Sequence, residues 1–128
     1  MAIKFNVIER GEPGVVGGGT KKYYASPQMN GELDLEDLTK AIEKISTVSG
    51  ADIRAVVYAM VDVMKDSLAN GRIVRLGDLG SLRVSISSEG KATAEEVNAS
   101  TIKGARVLFS PGKELKDMLK TVTYTRES

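Results

Sequence analysis

The stretch that most constrains the fold of this chain runs from Gly71 to Leu119. It begins with GRIVRLGDLGSLRVSISSEG, continues through a polar segment and ends with ARVLFSPGKELKDML. Apolar and polar residues alternate in its first and last parts, which is typical of strands with one buried face. The pattern predicts strands over 73–76, 82–87 and 105–109, joined across a polar tip or mobile loop at 88–101. The sequence therefore predicts a hairpin with a long arm.

Two helices are predicted before this hairpin. Asp34 is typical of an N-cap, and an apolar stripe at helical spacing follows it. Ser49 starts the second helix in the same way, with Asp52 three residues later in a position that resembles a capping box. The second helix ends at Asn70-Gly71. Its apolar face is wide and consists of Ile53, Val56, Val57, Met60, Val61, Met64 and Leu68.

That wide apolar face has two interpretations. A stripe of Met residues with Tyr58 is compatible with a ligand groove, but its period is that of any buried helix, which favours core or a dimer interface. Two short helices, a thin sheet and one further helix leave such a face poorly covered in a single chain. We therefore expect a homodimer.

A third helix is predicted at the end of the constrained stretch. Ser110 is interpreted as its N-cap and Pro111 as its first residue, and an apolar stripe of Leu115, Met118 and Leu119 follows. Beyond it, the alternation over 121–125 is compatible with a further strand.

The first 33 residues differ in character from the rest. Alternation of Ile3, Phe5 and Val7 with polar residues predicts a strand, and 21–25 predicts a second one. Residues 11–20 are rich in Gly, which favours a flexible loop. A phosphate-binding loop is the alternative, but the segment lacks the Gly-Lys-Ser/Thr order and no helical pattern follows it directly.

Composition excludes several classes of function. The chain has no Cys and no His, which removes disulfides, thiolate zinc sites, Cys nucleophiles and imidazole bases. No convergent catalytic set is present, so we expect neither an enzyme nor a cofactor, a metal or a small-molecule substrate. The acidic residues Asp34, Glu36 and Asp37 fit a helix N-terminus better than a metal cluster. Because no long apolar run occurs, we expect no membrane contact and a cytoplasmic location.

Charge is segregated along the chain, although the net charge is only +1. Residues 34–70 hold four basic and seven acidic residues, a balance of −3, whereas residues 71–128 hold ten basic and seven acidic residues, a balance of +3. Phosphate binding depends on excess Lys and Arg. The part of the chain that contains the hairpin is therefore the better candidate for contact with nucleic acid.

Four short motifs, in this order, resemble the HU/IHF family of bacterial histone-like DNA-binding proteins. They are the Ser-x-x-Asp start at Ser49, the Asn70-Gly71 stop, Asp-Leu-Gly-Ser-Leu at 78–82 and Phe-Ser-Pro-Gly-Lys-Glu-Leu-Lys at 109–116. The resemblance implies an α+β, IHF-like fold: two N-terminal helices, a three-stranded antiparallel sheet with an extended β-arm, a short C-terminal helix and an intertwined dimer. It covers about 34–120 and leaves 1–33 as an N-terminal extension and 121–128 as a tail, as in longer HU-like variants.

The resemblance implies a nucleoid-associated, architectural protein that binds DNA largely without sequence preference. Arg83 shares a strand face with small hydroxyls, which suits phosphate oxygens. Lys113 lies in the first turn of the last helix, where the helix dipole disfavours a cation unless an anion is bound. The expected DNA-binding residues are Arg75, Ser81, Arg83, Lys91, Lys103, Arg106, Lys113 and Lys116. The expected core or dimer residues are Val57, Met60, Val61, Met64, Leu79, Leu82 and Phe109.

The arm departs from the family pattern. The family's arm tip usually carries an Arg-Asn-Pro whose proline wedges between base pairs, whereas residues 85–109 contain no Pro and hold three basic and three acidic residues. Ser85 and Ser87 stand where the family often has Arg. We therefore expect weak, salt-dependent binding with little kinking of the duplex. The alternative hypothesis is an HU-fold module for protein interaction or scaffolding that has lost most DNA binding.

Overall fold

The computed structural model describes residues 2–127, and within them the chain has an α+β fold with three α-helices and two three-stranded sheets. The elements, in chain order, are β1 (Ala2–Arg10), β2 (Lys22–Pro27), α1 (Leu35–Ile45), α2 (Gly50–Ala69), β3 (Val74–Arg75), β4 (Gly80–Ser88), β5 (Ile102–Pro111), α3 (Lys113–Thr121) and β6 (Thr123–Arg126). None of the described helices is long and apolar enough to cross a membrane.

The chain divides into two compact units. One unit contains the segment up to Leu38 together with the segment from Met118 onward, and the other contains Thr39–Asp117. The two ends of the sequence thus belong to the same unit. The proposed division of the chain at residues 33 and 120 stays a prediction.

The first unit is built on a sheet with strand order β2-β1-β6. β1 pairs antiparallel with β2 and parallel with β6. The strands predicted from the alternation in the first 25 residues and in the tail are therefore confirmed. Their pairing joins the two ends of the chain, which local pattern does not indicate because the partners lie more than a hundred residues apart.

The first helix begins as predicted. The Asp34 carboxylate accepts a hydrogen bond from the backbone N–H of Asp37 at 2.8 Å. This contact satisfies one of the N–H groups that a helix leaves unpaired at its first turn. Asp34 therefore acts as an N-cap, as the sequence predicts.

Two side chains stabilise the start of α2. The Ser49 hydroxyl accepts from the backbone N–H of Asp52 at 3.2 Å, which confirms the predicted N-cap. The Gly50 N–H donates to Oε2 of Glu43 at 2.9 Å, so a carboxylate from α1 supplies a second acceptor. A Cβ atom at Gly50 would lie 2.9 Å from Oε1 of the same Glu43 carboxylate, so a larger residue would require this side chain to shift. Ser49 and Glu43 therefore both stabilise the turn between the two helices.

The second sheet, in the second unit, has strand order β3-β4-β5 and is antiparallel throughout. Eight successive residue pairs join β4 to β5, from Gly80 and Pro111 to Ser87 and Gly104. Because side chains alternate across a strand, this register places most polar positions on one side of the sheet and most apolar positions on the other. We call one side the arginine face, which carries Arg75, Ser81, Arg83, Ser85, Arg106 and Ser110, with the half-buried Leu108 opposite Arg83 as its apolar member. The other, the apolar face, carries Val74, Leu82, Val84, Ile86, Ala105, Val107 and Phe109.

The tip between β4 and β5 is held by hydrogen bonds. The Glu89 N–H donates to the carbonyl of Thr101 at 2.8 Å. Two short 3₁₀ turns follow each other, and Asn98 and Thr101 cap the second of them reciprocally. Thr101 is only 4% exposed. The sequence left open whether 88–101 is an arm tip or a mobile loop, and this network favours an ordered tip.

The start of α3 differs from the prediction. Ser110 is not an N-cap and Pro111 is not the first helical residue, because β5 continues through Pro111 and the helix begins at Lys113. The cause is a long-range contact: the Gly112 N–H donates to the carbonyl of Leu79 at 2.9 Å. This bond keeps Ser110 and Pro111 in β5.

Very little apolar surface is buried within one chain. Ile53 is the buried hydrophobic residue of the described chain, and Thr39 and Thr101 are the buried polar ones. The residues expected in the core or dimer interface are partly exposed. Val57, Met64 and Leu82 are half-buried, while Met60, Val61, Leu79 and Phe109 are between 38% and 51% exposed. Their role in an interface stays a prediction.

The capping of α2 gives a stability prediction. Replacing Ser49 by Ala removes an acceptor from the first turn of α2, so the free energy of unfolding should fall by about 1 kcal/mol. Urea denaturation followed by circular dichroism measures this. Ser87→Ala, at an exposed strand position, is the matched control and should change stability by less than about 0.5 kcal/mol. Equal stability of the two variants would contradict the assigned cap.

Candidate nucleic-acid interface

Three arginines form a diagonal row across the second sheet. Arg75 of β3 pairs with Ser81, Arg106 of β5 pairs with Ser85, and Arg83 lies on β4 between those two serines. Each arginine is thus offset by two residues from the next strand's arginine on the same face, a separation of about 7 to 8 Å between backbone positions. All three side chains are exposed. The register therefore builds a continuous row of guanidinium groups that the sequence presents as separate residues.

All charged residues in the strands that carry this row are basic. β3, β4 and β5 contain Arg75, Arg83, Lys103 and Arg106, and no Asp or Glu. The tip at 89–101 has the opposite balance, with Lys91 against Glu89, Glu95 and Glu96. The charge of the hairpin is therefore polarised along its length.

A groove at the base of the hairpin brings three of the predicted residues together. It has a volume of about 340 Å³ and is lined by Arg75, Gly77, Gly80, Ser81, Ser110, Pro111, Gly112 and Lys116. Two cations and two hydroxyl groups thus surround a floor of glycine backbone. This combination of donors suits the oxygens of a phosphate.

The floor of the groove is too crowded for side chains. Gly80 has a φ angle of 144°, which disfavours any residue with a Cβ. A Cβ atom at Gly112 would lie 2.8 Å from the Gly80 nitrogen. The Leu76 N–H also donates to the Gly80 carbonyl at 2.7 Å, which closes the turn. Close packing of the turn against β5 therefore requires both glycines.

The sequence predicts that an external anion explains the position of Lys113 in the first turn of the last helix, but the structure shows an ion pair within the chain. The Lys113 ammonium group lies 3.2 Å from Oδ2 of Asp117, one helical turn later. The side chain is 75% exposed, so the pair is weak and an external phosphate can compete with it. Lys113 is nevertheless a less independent cation than the sequence suggests.

The remaining predicted residues lie farther along the hairpin. The Lys91 ammonium lies 3.4 Å from Oε2 of Glu89, so its charge is offset within the tip. Lys103 lies at the register irregularity between the pairs formed by Gly104 and Ile102. Arg106 lines a second groove of about 320 Å³ with Ser85, Ile86, Ser87, Gly104 and Ala105. The structure thus places Arg106 with Arg83 and leaves Lys91 apart from them.

Ser110 is a groove residue that the sequence reasoning missed as a binding residue. Because Ser110 was interpreted as a helix cap, it was not included in the predicted strand. The alternation of apolar Ala105, Val107 and Phe109 with polar residues nevertheless continues to position 110. Extending that alternation by one residue places Ser110 on the face of Arg106. The signal was therefore present in the strand pattern.

The comparisons with known proteins decide the family. A family model described as HU-HIG, an HU domain fused to a wHTH, Ig or glycine-rich motif, matches residues 1–126. The chain belongs to the HU-HIG family. The matched region of this HU-HIG chain includes residues 1–33, which the resemblance from sequence left outside the HU-like part. No curated protein matches the chain.

A solved structure has a similar fold. It is the crystal structure of a protein from Bacteroides vulgatus ATCC 8482 that is described as a candidate bacterial DNA-binding protein. It matches with a TM-score of 0.68 and 18% sequence identity, over 99% of the HU-HIG chain and 50% of its own. The HU-HIG chain thus spans half the length of that protein. At this identity the likeness shows the fold.

The crowding at the base of the hairpin gives a prediction. Replacing Gly112 by Ala forces a Cβ against the Gly80 backbone, so the free energy of unfolding should fall by about 1 to 3 kcal/mol. Thermal denaturation by circular dichroism measures it. Gly104→Ala is the matched control because no atom lies within 4 Å of the added Cβ. If Gly112→Ala were no less stable than Gly104→Ala, the described packing of the turn would be wrong.

Proposed function

We propose that the chain is a nucleoid-associated, architectural DNA-binding protein that contacts phosphates and reads little base sequence. The observation that carries the proposal is the diagonal row of Arg75, Arg83 and Arg106 on a sheet whose strands contain no acidic residue. Arginine binds phosphate oxygens through a planar fork of donors, and phosphate contacts position a protein on DNA without specifying sequence.

The groove at the base of the hairpin supports the same proposal. Lys116 and Arg75 line it on either side of a glycine floor, and Ser81 and Ser110 add hydroxyl groups. The groove has no aromatic ring for stacking on bases and no amide for pairing with adenine. Its arginine and lysine can bind guanine edges as well as phosphates, but the two hydroxyl groups and the glycine backbone beside them favour phosphate oxygens. We therefore assign the groove to phosphate.

The charge of the tip limits the part of the hairpin that can contact DNA. It carries three acidic residues against one lysine, and that lysine is paired with Glu89. An acidic, proline-free tip is repelled by phosphates and offers no wedge for a base step. We infer that DNA contact ends on the strands and that the duplex is bent little.

The proposed assembly is an intertwined homodimer. An open groove in the second unit has a volume of about 400 Å³ and is lined only by apolar side chains, those of Val56, Ala59, Met60, Val63, Met64, Val74 and Leu76. Obligate dimers bury apolar surfaces of this kind, and a second copy supplies a matching one.

The printed description of the Bacteroides vulgatus protein as a candidate DNA-binding protein points in the same direction. The acidic tip favours a second candidate, in which the hairpin serves protein contacts and the chain is a scaffold module. Binding to DNA at low salt distinguishes the two hypotheses.

The DNA proposal predicts a specific effect of Arg83→Gln. Affinity for a duplex of arbitrary sequence should fall, and the slope of log K against log salt should become shallower by about 1, because one phosphate contact is lost. A mobility-shift titration over salt measures both quantities. Arg54→Gln, an exposed α2 variant with the same charge change, should leave them unaltered. If wild-type protein fails to bind at low salt, or if both variants behave alike, the proposal is wrong.

The dimer proposal predicts the effect of a charge in the apolar groove. Met60→Asp buries an unpaired carboxylate in the interface, so the variant should sediment as a monomer and lose much of its cooperative unfolding. Val16→Asp, at a fully exposed loop position, should remain a dimer. Analytical ultracentrifugation over a range of concentrations measures the mass. A monomeric wild-type protein would contradict the proposed assembly.

A further inference from the structure

The first unit has a basic sheet face of its own, which we call the terminal basic face. Alternate residues of β1 share it with their partners on β2 and β6, as in the pairs Ile8 with Tyr24 and Lys4 with Thr125. Its members are Ala2, Lys4, Asn6, Ile8, Arg10, Lys22, Tyr24, Ser26, Thr123 and Thr125. Three are cations and none is an anion, although the chain as a whole has 17 acidic and 18 basic residues. The charged residues of this face therefore all carry the same sign.

Two of the cations lie directly opposite each other. Arg10 pairs with Lys22 across β1 and β2, an arrangement that destabilises a sheet when both residues have the same charge. Each cation has a favourable contact that partly compensates for the repulsion between them. The Arg10 guanidinium lies 4.9 Å from the Tyr24 ring centroid, and the Lys22 ammonium lies 3.3 Å from Oε1 of Glu12 in the preceding loop. A polyanion bound to the face would compensate for this repulsion more strongly.

Lys4 is available for such a ligand. Within residues 2–127 its ammonium makes no ion pair, and the side chain is exposed. Lys4 and Arg10 lie six residues apart on β1, a distance of about 20 Å, which is the axial length of about six base pairs. The positive charges are thus distributed over a length that fits several phosphates of one duplex.

We propose that the terminal basic face is a second phosphate-binding surface for duplex DNA, independent of the arginine face. The inference rests on the proposed function, because it assigns a further surface to the same ligand. Duplex backbone is favoured over single-stranded bases because Arg10 covers the Tyr24 ring, which is also half-buried, so the ring offers no free stacking platform. The threonine and serine hydroxyls beside the cations add donors for phosphate oxygens.

The test uses the full chain and a labelled duplex of arbitrary sequence in fluorescence anisotropy titrations over salt. The combined variant Lys4→Gln, Arg10→Gln, Lys22→Gln removes the three cations. If each of them contacts a phosphate, the slope of log K against log salt should become shallower by about 2 to 3. Lys44→Gln, Arg54→Gln, Lys65→Gln is the matched control, with the same charge change at exposed helix positions. It should leave the slope as in wild-type protein.

A charge-conserving variant separates loss of charge from loss of fold. Lys4→Arg, Arg10→Lys, Lys22→Arg should keep the wild-type slope, and circular dichroism compares the folding of all three variants. Equal slopes for the Gln variant and its control, with wild-type protein binding DNA, overturn this inference and leave the proposed function intact. A shallow slope in the charge-conserving variant as well also overturns it, because charge is then not the cause. Failure of wild-type protein to bind overturns both.

Discussion

The register between β4 and β5 is the constraint on which the candidate interface depends. Eight successive pairs fix the alignment of the two strands, so the arginines and serines fall on one side and the valines, Leu82 and Phe109 on the other. Leu108, opposite Arg83, is the apolar exception on the arginine face. A shift of one residue would exchange the two faces. The register is set at the base of the hairpin, where the Gly112 N–H binds the Leu79 carbonyl and where Gly80 and Gly112 have no room for side chains.

The same register bears on the proposed dimer. It collects an apolar face that a single chain leaves exposed, with Phe109 at 49% and Val107 at 56%. The α2 helix adds its own exposed apolar residues to this unit. The apolar face proposed for the dimer and the basic face are thus two consequences of one strand pairing.

Local features of this structure could be predicted from the sequence, and long-range contacts could not. The caps at Asp34 and Ser49 and the strand alternation depend on residues within four positions of each other, so the pattern contains the information. The start of α3 could not be placed, because its position depends on a bond to Leu79, more than thirty residues earlier. For the same reason the sequence indicated Arg75, Arg83 and Arg106 as candidates, but only the pairing of three strands arranges them as a row. The ion pair of Lys113 with Asp117 is local and was overlooked.

The net charge of +1 conceals a marked separation of charge. In the second sheet the charged residues of the strands are all cations, whereas the tip at 89–101 holds three carboxylates and one lysine. The central claim, that DNA phosphates bind the arginine face, is tested most directly by amide hydrogen exchange with and without a duplex. Bound DNA should slow exchange in residues 74–85 and 104–112 and leave the tip at 89–101 unchanged. Protection confined to the tip, or no protection in the strands at a DNA concentration that saturates the protein, would contradict the account.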